Sequence, residues 1–348
     1  MARQRVFFIS NRNFQPDNKT AVFGGRFNPD GVAALRYGWA DFEPGAARAA
    51  QVNVYPETIA QSPTVGFTKV GSAAFFDDLR TQMNKGCSDT LVFIHGFNVS
   101  FTEAIYAASR ISAQTIIGGK PLNVVAFSWP SDGKKIPWMS YYSDRDDARS
   151  SGAAVARAFL KLVDFLAEMP EAEICGRGLH LLAHSMGAYV LRNGLQALIA
   201  KDPTRLLRIF HEIILAAPDE DDDAFETDDK LRLLPRLGRR VTVYHNESDR
   251  ALLISDKTKA NPDRLGSDGP RLVDLIPKKV VLVDCRNVAG DADRFIEHSY
   301  YVRSEAMTRD ISSVLADLTP EQIPNRSFVD RLRAWRIQDE IGVRRVTP

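Results

Sequence analysis

Residues 179–187 read LHLLAHSMG, and the stretch that follows carries Leu191, Leu195 and Leu198 at helical spacing. The run Leu179 to Ala183 is short and largely apolar, as a buried parallel strand is, so the segment reads strand, sharp turn, helix, with Ser185 at the apex. A turn that abrupt strains its apical residue, and small residues two before and two after it, here Ala183 and Gly187, let strand and helix pass closely. The serine hydroxyl is thereby raised above the sheet beside a helix N-terminus, whose free amides favour negative charge. The pattern is G-x-S-x-G with alanine for the first glycine, a loss of one methyl group of clearance. A small-x-Ser-x-Gly run also occurs in ordinary strand-to-helix connections, so its surroundings decide its meaning.

Those surroundings alternate regularly. From about residue 90, apolar runs at Thr90 to Ile94, Leu122 to Phe127, Leu179 to Ala183, Ile209 to Ala216, Val241 to His245 and Val280 to Val283 read as strands. Between them Phe101, Ile105, Ala108 and Ile111, then Val155, Phe159, Leu162 and Leu166, mark helices with one apolar face. Ser100 and Glu103 form an S-x-x-E capping box, which makes His95 to Val99 a tight strand-to-helix loop. This is the signature of βαβ units: an α/β protein with a mostly parallel central sheet and helices on both faces.

The organisation expected is an N-terminal extension over 1–87, a core over 88–318 and a C-terminal docking segment over 319–348. Strand-like runs at Val6 to Ser10, Ala21 to Phe23 and Thr64 to Val70 extend the sheet at one edge. Phe328, Leu332 and Trp335 recur at i, i+4 and i+7, which predicts a short amphipathic helix docked on the body or joining the subunits of a homo-oligomer.

Composition narrows the function classes. A net charge of +1 gives no basic excess for a polyanion, so nucleic acid is not an expected partner. Cys87, Cys175 and Cys285 are odd in number and far apart, unlike a disulfide framework or a zinc site, so a reducing compartment is favoured. The apolar run Val6 to Ile9 is too short for a signal-peptide core and no stretch has the length of a membrane span, so cytoplasmic residence is expected.

A serine becomes a good nucleophile only when an imidazole takes its proton. His298 is the best placed of the six histidines: it follows the last strong strand and precedes a helical pattern at Met307, Ile311, Val314 and Leu318. His180, His211 and His245 lie in strands, and His184 adjoins the serine but faces away from it. Two strand ends offer an acid, Asp219 after LAAP and Asp249 after YHN, and the loop after the penultimate strand favours Asp249. The backbone amides of Phe97 and Met186 are the candidate oxyanion donors, with Gly96 letting the loop approach and His95 orienting it.

Trp129 and Tyr141, with Trp138 and Tyr142, form an aromatic insertion that reads either as a lid or acyl-pocket wall or as a loop covering the core. The acidic run from Glu220 to Asp223, with Glu226, Asp228 and Asp229, reads as an entrance that disfavours anions or as a solvated loop; it lacks the glycine and terminal glutamate of a calcium loop. No metal or cofactor is required.

With these residues in place, the chain resembles an esterase/lipase-like branch of the α/β-hydrolase superfamily, most of whose members are labelled domains of unknown function. The carriers are LVFIHGFNVSF (91–101), FSWPSDG (127–133), LLAHSMGAYVL (181–191), LAAPD (215–219), SDRALLIS (248–255) and HSYY (298–301). The resemblance implies a Ser185, Asp249 and His298 triad, with the LAAPD aspartate structural or at the site's edge; the activity expected of these residues is cleavage of a small-molecule ester by an acyl-enzyme route. Amide or thioester cleavage on the same triad, or a non-catalytic scaffold of the same fold, are the alternatives.

Overall fold

The computed structural model describes residues 3–16, 22–58, 69–131, 137–170, 176–249, 263–288 and 300–338. Strands β1 (Gln4–Ser10), β4 (Arg36–Phe42), β5 (Gln51–Val54), β6 (Thr90–Ile94), β9 (Asn123–Ser128), β10 (Leu179–His184), β11 (Phe210–Ala216), β12 (Gly238–His245), β13 (Val280–Asp284), β14 (Arg326–Val329) and β15 (Ala334–Ile337) form one sheet, in the order β14-β15-β13-β12-β11-β10-β6-β9-β1-β4-β5. Its central strands pair in parallel and are buried on both faces, which is why they read as continuous rather than alternating apolar runs. Two hairpins stand apart, β2 (Arg12–Phe14) with β3 (Phe23–Phe27) and β7 (Ile116–Ile117) with β8 (Lys120–Pro121).

Helices cover both faces. On one lie α1 (Gly71–Gly86), α3 (Pro137–Glu168) and α4 (Met186–Lys201), over a core that includes Phe75, Val125, Leu181 and Leu195. On the other lie α2 (Phe101–Gln114) and α6 (Glu305–Leu315), with α5 (Tyr300–Arg303) between β13 and α6 in sequence; their core includes Phe8, Phe93, Leu182 and Met307. The α2 capping box forms as its sequence predicts: the Glu103 amide donates to Ser100 Oγ and the Ser100 amide to Glu103 Oε2.

The order of connections locates the site. After β6 the chain crosses by α2 to β9 on one side; after β10 it crosses by α4 to β11 on the other. The loops leaving β6 and β10 therefore diverge over the carboxyl ends of two adjacent strands, and open parallel sheets bind ligands in that crevice.

The N-terminal strands β1, β4 and β5 do extend the sheet at one edge. The Ala21 to Phe23 run does not: Ala21 lies outside the described residues and Phe23 opens β3, in the separate hairpin. Of the Thr64 to Val70 run, 64–68 lie outside the described residues, and Val70 is the N-cap of α1. The C-terminal helix expected from Phe328, Leu332 and Trp335 is instead a hairpin that adds β15 beside β13. Phe328 and Trp335 are direct cross-strand partners with rings 5.2 Å apart, because a tight turn at Asp330–Leu332 brings residues seven apart face to face. The hairpin is fastened by a buried ion pair: Arg326 donates to both oxygens of Asp310 on α6 at 2.6 and 2.7 Å, and Tyr244 on β12 donates to the same carboxylate at 2.6 Å. Among the described residues, no helix is long and apolar enough to cross a membrane.

Candidate active site

Ser185 sits between β10 and α4 with φ 53° and ψ −126°, a conformation that costs a non-glycine residue on the order of 1–3 kcal/mol. Its neighbours hold it there. The Ser185 amide donates to Ala216 O at 3.0 Å, and the Asp219 amide donates to Ser185 O at 3.1 Å, so the end of β11 grips both sides of the strained residue. Ala217, itself at φ 45°, donates to Tyr244 O at 3.0 Å and carries the brace on to β12. The LAAPD segment thus supports the elbow through its backbone, a role its side chains do not announce.

Gly187 shows why the second small position must be glycine. A Cβ there would lie 2.5 Å from Ile94 O and 2.7 Å from His95 O, both backbone atoms. On the other side of the crevice, a Cβ on Gly96 would lie 3.0 Å from Ser185 Cβ and 3.1 Å from His184 Nδ1. The loop after β6 therefore runs in contact with the serine, and Met186, the first residue of α4, has an amide with no intrahelical acceptor.

His95 is 2% exposed and stacks on Trp129 with ring centroids 5.2 Å apart and planes 9° from parallel. Its Nδ1 lies 2.8 Å from Gly96 O, an acceptor, so Nδ1 carries the proton of the neutral ring. In a trans peptide the C=O and N–H share one plane and point in opposite directions, so the contact that holds Gly96 O also fixes the direction of the Phe97 amide. Burial, with the Arg12 guanidinium nearby, pushes the His95 pKa down to about 3 and keeps the ring neutral.

Trp129 is wholly buried and donates from Nε1 to His95 O at 2.9 Å. It supports the loop from beneath, which corrects its expected place in a substrate pocket: a ring covered on both faces has no surface to offer. Tyr141 lies near the start of α3, and its hydroxyl donates to Asp219 Oδ2 at 2.7 Å while its ring meets Phe97 at 5.7 Å. It joins the two loops that flank Ser185. The aromatic insertion is thus partly the first turns of α3, with Tyr142 exposed beside Tyr141.

The two candidate acids occupy different environments. Asp219 also faces the fully buried Arg264, with Arg264 Nε 3.7 Å from Asp219 Oδ1. Asp249 is fully buried in the turn after β12, its amide donating to Asn246 O at 3.0 Å. His298 lies outside the described residues. Tyr301, three residues further on, stacks on His184 at 4.3 Å, so the chain beyond His298 is packed against the residue preceding Ser185. His180, His211 and His245 lie in β10, β11 and β12.

The acidic run is solvated only at its far end, where Asp228 and Asp229 are exposed; its first residues are paired with cations. Glu220 is buried against Arg192 at 3.2 Å, Asp221 meets Arg264 at 2.6 Å and Lys230 at 3.0 Å, and Lys230 also binds Asp223. Burial raises the Glu220 pKa to about 6 even so. These pairs tie the segment after β11 to α4 and to the 264 loop, a tertiary charge match that spacing along the chain does not encode.

Residues 72–316 match the sequence model of a family described as "Alpha/beta hydrolase of unknown function (DUF900)". No curated protein matches the sequence. The crystal structure of Aspergillus fumigatus lipase B aligns at 13% identity over 48% of this chain and 39% of the lipase, with a TM-score of 0.28, so the alignment spans under half of either chain.

Proposed function

The chain belongs to the DUF900 family of α/β hydrolases, and from that premise we propose that it is a serine hydrolase that cleaves carboxylic esters. One observation carries the reading: Ser185 is held at φ 53° and ψ −126° at the sheet's switch point, against a glycine loop. Strain of this kind persists only where surrounding structure maintains it, and it raises the hydroxyl clear of the sheet.

In the proposed reaction Ser185 Oγ attacks the ester carbonyl while His298 takes the hydroxyl proton. The carbonyl oxygen becomes an oxyanion that accepts hydrogen bonds from the Phe97 and Met186 amides. The tetrahedral adduct collapses, the C–O bond to the alcohol breaks, and His298 returns the proton to the departing alkoxide. Water then attacks the acyl-enzyme with His298 again as base, releasing the acid and restoring the serine.

Asp249 is the proposed partner of His298, since it is buried in the turn after β12, the loop position at which this fold usually carries the acid, whereas the Asp219 amide braces Ser185. A buried carboxylate in that role holds the imidazole tautomer and stabilises the imidazolium.

The test is Ser185→Ala, assayed on p-nitrophenyl butyrate and by fluorophosphonate labelling. The expected loss is on the order of 10⁴-fold or more in kcat, with labelling abolished and the thermal unfolding profile kept. Turnover that survives the substitution in a folded protein overturns the assignment.

A further inference from the structure

The loop that carries Phe97 is gripped at its far end by three side chains from three separate parts of the chain. Asp144 on α3 is fully buried, and its Oδ2 accepts from the Asn98 amide at 3.2 Å and from Ser131 Oγ at 2.5 Å. Ser131 Oγ in turn accepts from the Val99 amide at 3.2 Å. Arg12, which opens β2 and is 1% exposed, donates to Val99 O at 2.6 Å, to Ser131 O at 3.3 Å and to Ser128 Oγ at 2.9 Å. Asn98, between the gripped groups, has φ 57°, the left-handed region that side chains rarely adopt.

Burying a guanidinium and a carboxylate carries a desolvation cost, which their hydrogen bonds must offset. Each makes one hydrogen bond to the backbone of the same short turn, Arg12 donating as well to Gly24 O at 3.3 Å, and with Ser131 Oγ they commit the Asn98 N–H, the Val99 N–H and the Val99 C=O. With His95 holding Gly96 O from the other side, the peptide unit bearing the Phe97 N–H is fixed at both ends. Arg12 lies outside residues 72–316, the span of the family match, so one jaw of this grip comes from the N-terminal segment, where Arg12 opens the β2–β3 hairpin beside the main sheet.

We infer that Arg12, Ser131 and Asp144 are positioning residues for the oxyanion hole, and that the N-terminal segment thereby completes the active site. The inference rests on the serine-hydrolase reading above. Its energetic logic is that an oxyanion donor binds charge present only in the transition state, so a loosened Phe97 amide weakens turnover and leaves substrate binding intact.

The experiment compares wild type, Ser131→Ala, Arg12→Met, Asp144→Ala, Asp144→Asn and the surface control Arg3→Ala on p-nitrophenyl butyrate, with unfolding curves for each. Ser131→Ala, Arg12→Met and Asp144→Ala are expected to lower kcat about ten- to a hundredfold with KM within about twofold, part of the loss seen when an oxyanion donor is removed outright. Asp144→Asn keeps an acceptor oxygen and is expected to retain kcat within about fivefold of wild type. Arg3 pairs with exposed Glu43, and its variant is expected to match wild type.

Wild-type kcat in folded Ser131→Ala and Arg12→Met, or a rise in KM with kcat unchanged, overturns the clamp while the Ser185 assignment stands. Should Arg12→Met or Asp144→Ala fail to fold, Ser131→Ala, which removes a single hydroxyl, decides. A wild type that neither turns over the ester nor labels at Ser185 overturns both readings together.

Discussion

Replacing Gly187 with alanine probes the elbow directly. The new methyl would sit 2.5 Å from Ile94 O and 2.7 Å from His95 O, whereas real Cβ atoms essentially never come within 3.0 Å of such atoms. Both obstacles are backbone carbonyls and cannot swing aside, so α4 and the loop after β6 must separate by about 0.5 Å, where a misplacement of about 1 Å costs roughly a hundredfold in rate. The expected fall in kcat is therefore about tenfold. Overpacking costs about 1–3 kcal/mol, against which helix propensity returns about 1 kcal/mol. Gly194→Ala is the matched control: its methyl would meet Val155 Cγ1 at 2.5 Å, a crowding of α3 against α4 by a side chain, far along the helix from Ser185. Urea unfolding followed by circular dichroism, with p-nitrophenyl butyrate kinetics, separates the two effects. Both variants should lose stability, and only Gly187→Ala should lose kcat. A Gly187→Ala protein with wild-type kcat would refute the argument that this contact sets the geometry of the crevice.

Protonating buried His95 should destabilise the fold: its folded pKa of about 3 lies below the unfolded value of 6.5, so its contribution is whole above pH 6.5 and drains away as pH falls towards 3. The stability of wild type relative to His95→Phe should fall by about 1.4 kcal/mol per pH unit across that window, and a flat difference in unfolding free energy would contradict it. Asp310→Ala strands the buried Arg326 guanidinium and the Tyr244 hydroxyl, and denaturant titration should show a loss of about 3–5 kcal/mol. For the triad acid, Asp249→Asn should lower kcat by about 10⁴-fold, whereas Asp219→Asn should retain most turnover; inactivity of Asp219→Asn alone would reverse the assignment.

The parallel strands were legible because each is buried on both faces and so is written as an unbroken apolar run, and the strand-turn-helix around Ser185 because its small residues and its helix pattern are local. The edges were harder to read. Phe328, Leu332 and Trp335 satisfy a helical period, yet the same spacing arises when a tight turn makes Phe328 and Trp335 opposite numbers in a hairpin. Strands β4 and β5 carry glycine and polar residues among their apolar ones, and β4 pairs with β1 across some 26 to 38 residues of chain. Trp129 looked like a pocket wall because an aromatic at a strand end fits that role, and only the packing of His95 over it shows that its surface is spent.

Periodicity, capping and turn chemistry are properties of neighbouring residues, and for this chain they suffice for an α/β sheet with a strained serine between β10 and α4. The grip on the loop after β6 is of another kind. Arg12, Ser131 and Asp144 meet the Asn98–Val99 backbone from 87, 32 and 46 residues away in the chain, and Asp219 braces Ser185 from the segment after the neighbouring strand β11. Such contacts exist only once the sheet has assembled, because hydrogen bonds act over about 3 Å in space whatever the separation along the chain.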